Sequence, residues 1–143
     1  MQLNFYLSFL GKTEEAITFY QSVLGGKIMA MLKVAGSPAE EHWPVESRDD
    51  ILHACLDLGE VMIMASDSPK SMYSKPQGSH ICINVTDEAE AKRLYKALSR
   101  DGEIFMAMEP TFFAKQYAMF ADRFGTQWMI HCMDEQMAQN CPA

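Results

Sequence analysis

FYLSFLGKTEEAITFYQSVLGGK, Phe5 to Lys27, joins two kinds of local pattern across one glycine. Up to Gly11 the residues are mostly aromatic and aliphatic, the composition of a strand that runs into a turn. Beyond it Ala16, Ile17, Tyr20, Val23 and Leu24 recur at helical spacing, Glu14 and Glu15 stand where the helix dipole favours acids, and Gly25-Gly26 supplies a left-handed stop. The stretch predicts a strand, a helix opening at Thr13, and a second strand from Lys27. The same order returns about 75 residues later, with His80 answering Phe5 and Asp87 answering Thr13. An offset held across a strand and a helix start marks a duplicated unit, and a duplicated unit of this size builds a paired module with a cleft.

Outward from this stretch, Lys27 to Val34 reads as a strand, and Ala35 to Asp50 as a loop of about 16 residues, long enough to be a candidate lid with His42 and Trp43 in it. Ile51 to Leu58 and Val61 to Ala65 flank Gly59-Glu60, the spacing of a tight hairpin. Leu58 opposite Val61 would pair Asp57 with Met62, Cys55 with Met64 and His53 with Ser66 on one face, leaving Leu56 and Ile63 on the other. In the second copy Ser79 to Val85 is a strand, and Asp87 with Glu90 gives the reciprocal capping pattern of a helix striped by Ala91, Leu94, Tyr95 and Leu98. Ile104 to Met108 is a short strand, and Tyr117 to Asp122 with Thr126 to Cys132 a final hairpin. The expected architecture is α+β, two tandem βαβββ modules in a single domain. Module one is 1–68, the connector 69–78 and module two 79–133, with a polar tail 134–143 expected to be frayed or docked on a partner.

Composition narrows the function. A chain of 143 residues buries a real core without disulfides, and Cys55, Cys82, Cys132 and Cys141 form no C-x-x-C pair, so reduced thiols in a cytoplasmic protein are expected. No segment has the length and apolarity of a membrane span, and the first residues lack the basic and apolar regions of a secretory signal. The net charge of -7 arises from scattered acids, with no basic stripe for nucleic acid. No G-x-G-x-x-G loop follows a strand, so a nucleotide-like cofactor lacks its cradle. Twelve methionines suit a plastic core or a plastic pocket.

YLSFLGKTEEAITFYQSVLGGK, the His53-Ala54 strand and DRFGTQWMI, taken in order, resemble the PhnB-like branch of the vicinal oxygen chelate superfamily, across nearly the whole chain to about Cys132. That superfamily also holds glyoxalase I, extradiol dioxygenases and bleomycin-resistance proteins. The resemblance implies curled mixed sheets that enclose a cleft, commonly in a homodimer. Its metal-dependent members place four His or Glu ligands on cleft-facing strands, and the corresponding positions here are Phe5, Met64 (or Met62), His80 and Met129. One imidazole with thioethers and a phenyl ring cannot hold a divalent ion that needs three or four such donors. No metal and no other cofactor is therefore expected.

In the superfamily's orientation the cleft face carries Phe5, His53, Cys55, Asp57, Met62, Met64, His80, Cys82, Met129 and His131. A soft apolar lining with a few polar groups is the usual form of a small-molecule site, and close packing of Met and Phe between modules is its structural alternative. His80 is the candidate catalytic residue, as acid, base or hydrogen-bond partner. Cys82, two residues along the same face, raises the question of an imidazole-activated thiol. Asp57 beside the hairpin turn also reads as a solvated turn residue. The expected function is metal-free binding of an unidentified small molecule in a Met-lined cleft. One rival is an enzyme of the same superfamily, with His80 as acid or base or recruiting a metal with His53, His131 or Asp57. The other is an interaction module whose cleft is packed shut.

Overall fold

The computed structural model describes residues 1–134 and Gln136, so Cys141 and most of the polar tail lie outside the described residues. The chain separates into two compact units, with the boundary between Ser74 and Lys75, inside the expected connector. The first unit, module one, contains β1 (Phe5–Phe9), α1 (Thr13–Leu24), β2 (Lys27–Lys33), β3 (Ile51–Asp57) and β4 (Met62–Asp67). The second, module two, contains β5 (Ile81–Val85), α2 (Glu88–Leu98), β6 (Glu103–Glu109), β7 (Gln116–Ala121) and β8 (Gln127–Cys132). Each module is thus βαβββ. Each forms an open mixed sheet, ordered β1-β4-β3-β2 and β5-β8-β7-β6, with one parallel pair, β1 with β4 and β5 with β8.

One face of each sheet is closed by its own helix. In module one Ala54, Leu56, Ile63 and Ala65 are buried on the face that receives Ala16, Ile17, Tyr20 and Val23 of α1. In module two Ala118, Phe120, Trp128 and Ile130 are buried beneath Ala91, Leu94 and Leu98 of α2. These are the period-two and helical stripes meeting, so the apolar spacing in the sequence becomes the core.

Two buried carboxylates complete the frame. α1 has no side-chain cap of its own; Asp67 at the end of β4 accepts from Lys12 N (2.9 Å), Thr13 N (3.0 Å), Thr13 Oγ1 (2.8 Å) and Ile51 N (2.8 Å). Asp122 accepts from Phe124 N, Thr126 N and Trp128 Nε1, which ties the β7–β8 turn to the core tryptophan. α2 is capped locally: Asp87 accepts from Ala89 N and Glu90 N. The reciprocal half of that capping box gives way to another bond, because the Glu90 carboxylate makes two charge-assisted contacts to Arg93, at 2.6 and 2.7 Å.

Candidate functional site

The side of each sheet away from its helix is where the expected site residues collect. In module one the hairpin register is Asp57 with Met62, Cys55 with Met64 and Leu56 with Ile63, as the two-residue turn predicts. His53, Cys55, Met62 and Met64 therefore share the helix-free face. Cys55 is 8% exposed, and its Sγ donates to Met62 Sδ at 3.6 Å. His53 stacks on Tyr6, ring centroids 6.1 Å apart. Asp57 serves its own turn, accepting from Gly59 N at 2.8 Å.

Phe5 departs from the expectation. It pairs in parallel with Ile63, Leu7 with Ala65 and Phe9 with Asp67, so Phe5 lies on the helix side of the sheet. Tyr6, paired with Met64, takes the place expected of Phe5. The reason is the phase of a parallel pair, which is set by the crossover through α1 and leaves no local signature as a hairpin turn does.

The long loop of module one is tied down along its length. Val34 N and Ala35 N donate to Asp50 O and Arg48 O, two short 3₁₀ turns fill Glu40–His42 and Val45–Ser47, and Glu40 pairs with Arg48 at 3.2 Å. His42 is exposed and Trp43 half-buried.

In module two the helix-free face is concave. Three strand spacings, about 14 Å, separate β5 from β6 across a flat sheet, yet the His80 ring stands 6.4 Å from that of Phe105 on β6, edge to face. The sheet curls until side chains of its two edges meet. His80 itself lies one residue before β5, which starts at Ile81 rather than Ser79. Cys82 pairs with Met129, Asn84 with His131, Met119 with Met129 and Tyr117 with His131, so these residues line the same face. His131 completes a three-ring cluster with Phe113 (5.9 Å) and Tyr117 (6.1 Å), which meet each other at 5.1 Å, and Tyr117 Oη donates to Met129 Sδ at 3.2 Å. Phe113 also walls a cavity of about 300 Å³ in the loop from Pro110 to Lys115.

The polar atoms of this face are unevenly satisfied. His80 Nε2, His131 Nε2 and Gln127 Oε1 are buried without a hydrogen-bond partner, while Gln127 Nε2 donates to Pro76 O. Cys82 is exposed as a residue, with Sγ directed to Asn84 Oδ1 at 3.7 Å rather than to an imidazole. Protein packed around the thiol pushes its pKa up, which disfavours the thiolate a nucleophile needs. Burial, with a smaller contribution from Cys82, likewise raises the Tyr117 phenol.

Among the described residues no three or more His, Cys, Asp or Glu side chains gather where they could hold a metal. His53, Cys55, Met62 and Met64 belong to the sheet of module one; His80, Cys82, Met129 and His131 belong to that of module two. Tyr6, Gln127, Phe105 and Tyr117 are the neighbours that sequence reasoning missed. Tyr6 and Gln127 carry only the signal of strand parity, and Phe105 reaches His80 through curvature that no local pattern encodes.

Comparison with known proteins finds relatives both in sequence and in structure. A family model described as 3-demethylubiquinone-9 3-methyltransferase matches residues 2–131. The crystal structure of protein PA1353 from Pseudomonas aeruginosa is 40% identical, with a TM-score of 0.86 over 94% of this chain and 99% of that one. The PhnB protein from Bacillus cereus is 22% identical, with a TM-score of 0.78 over 92% and 99%. The fosfomycin resistance protein FosX from Mesorhizobium loti, at 11% identity and a TM-score of 0.59 over 99% and 98%, shares the fold alone.

Proposed function

The chain belongs to the family described as 3-demethylubiquinone-9 3-methyltransferase, the PhnB-like branch of the glyoxalase and bleomycin-resistance superfamily, and from that premise we propose a small-molecule-binding protein that works without a divalent ion. The ligand lies on the concave face of module two, among Phe105, Met119 and Met129, with His80, His131 and Gln127 as polar anchors. One observation carries the reading: three buried polar atoms without partners occur on one apolar face. Buried polar groups are ordinarily satisfied, and each one left unpaired costs about 1–3 kcal/mol. A molecule that meets them recovers that cost. It must bring a hydrogen-bond donor for Gln127 Oε1, while each imidazole nitrogen takes either role according to its tautomer.

Methyl transfer, the activity in the family's description, is not part of the proposal, since no G-x-G-x-x-G loop follows a strand to cradle a nucleotide-like cofactor. A second reading, in which the protein is an enzyme, draws on the same atom: His80 Nε2 is free to act as acid or base toward a bound molecule. A cytoplasmic location belongs to the proposal and is supported by the free thiols of Cys55, Cys82 and Cys132. So does a homodimer, supported by the edge strand β6, where Ile104, Phe105 and Met106 are 51%, 43% and 41% exposed.

Thermal unfolding against a panel of phenols and apolar carboxylic acids tests binding. A true ligand at 100 times its dissociation constant adds about 2.7 kcal/mol, and His80→Ala or His131→Phe should abolish the shift. No shift from any compound would favour a closed interaction module. A stoichiometric divalent ion lost on His80→Ala would overturn the metal-independent reading.

A further inference from the structure

The helix-free face of module one carries a sulfur cluster that the reading of module two leaves unused. Cys55 Sγ and Met62 Sδ stand 3.6 Å apart. Met64 is the direct cross-strand neighbour of Cys55, and His53 lies two residues along the same strand and face. The immediate surroundings are soft: Cys55 is buried, and Met62 and Met64 are half-buried. Two sulfurs at this separation can share one ion at a metal–thiolate bond length of about 2.3 Å, with an angle near 100° at the metal. Such an angle suits a trigonal or tetrahedral ion, and Met64 and His53 are the further soft or imidazole donors on the same face.

We propose that Cys55 and Met62, with Met64 or His53 completing the set, bind one soft monovalent cation of the Cu(I) class. Thiolate and thioether donors select such ions, whereas hard and borderline divalent ions need oxygen and imidazole sets, which are not assembled among the described residues. Binding exchanges one proton for one ion: the Cys55 S–H bond breaks, the sulfur lone pair goes to the metal, and the proton leaves to solvent. No oxidant or reductant takes part. The site stands in a different module from the proposed ligand face and does not depend on it.

The test uses the full-length chain with Cys82→Ser and Cys141→Ser, which removes two thiols with no part in the site. Anaerobic Cu(I) is titrated in competition with bicinchoninate, and the ultraviolet thiolate-to-Cu(I) band is followed. The expected result is one ion per chain, with Met62→Leu weakening binding about tenfold or more and Cys55→Ser removing both the ion and the band. Met62→Leu conserves apolar volume, so it keeps the test decisive if Cys55→Ser does not fold. Absence of stoichiometric binding overturns the proposal, and so does binding that Met62→Leu leaves unchanged, which would be adventitious capture by a thiol.

Discussion

Asp67 holds three backbone N–H groups and one hydroxyl that have left water, and it does so across 16 to 55 residues of sequence. Replacing it with alanine leaves those donors buried without an acceptor. Asp67→Ala should cost at least about 3 kcal/mol, measured as a lower urea midpoint with an unchanged slope; a loss below about 1 kcal/mol would show that water takes over the carboxylate's role. Nothing near Asp67 in the chain advertises this, since an aspartate followed by Ser-Pro reads as the start of a connector. The repeat singled out His80 by setting it against Phe5, yet strand phase puts Phe5 on the helix side, and the turn of Cys82 toward Asn84, a 3.7 Å contact, is a matter of rotamer that no pattern encodes. A second expectation concerns pH. Burial raises the pKa of Cys132, which lies fully inside module two. The neutral thiol therefore contributes stability that is full below the ordinary thiol range of about 8.5 and falls as pH rises above it. Urea midpoints between pH 8 and pH 10.5 should decline less steeply in Cys132→Ala than in the parent chain.

At the level of elements, what could be read was whatever repeats with period two or 3.6. The β3–β4 hairpin came out in register because a two-residue turn dictates which residues face each other. The β1–β4 pair did not, because a crossover through α1 permits either phase, and Phe5 accordingly exchanged faces with Tyr6. Strand ends also moved, β4 running on to Asp67 and β6 spanning Glu103–Glu109. A glycine precedes or follows the corresponding helix–strand junction in both modules: a side chain at Gly26 would collide with Asp57 O and Leu58, and one at Gly102 with Ala121 O. Close backbone approach keeps Gly102 bare, and at Gly26 it adds to a φ of 81° that already favours glycine. Gly102→Ala should lose about 2 kcal/mol or more through overpacking. Gly25→Ala meets only open space at φ 79° and ψ -151°, and should lose about 1–3 kcal/mol from that glycine-only backbone conformation alone. Equal losses in thermal melts would remove the packing argument.

For the whole molecule, duplication and the α+β class were evident in a single sequence, since both follow from patterning. Curvature entered only as what the family resemblance implies, because it emerges from twist summed over four strands and no local pattern encodes it. The exposed apolar stretch on β6 leads to an expectation about assembly. Met106→Lys should shift sedimentation from dimer toward monomer with little change in far-ultraviolet dichroism; an unaltered dimer would move the interface elsewhere. The division between Ser74 and Lys75 has a further consequence. Each half owns a sheet, a helix and an apolar interior sealed by that helix, so severing the peptide bond there breaks no strand pair within either sheet. Halves of this size are marginal alone, yet each retains its complete set of internal partners. Nicked chain should thus keep the strand content of both modules in far-ultraviolet dichroism, making the connector a natural point for inserting a reporter.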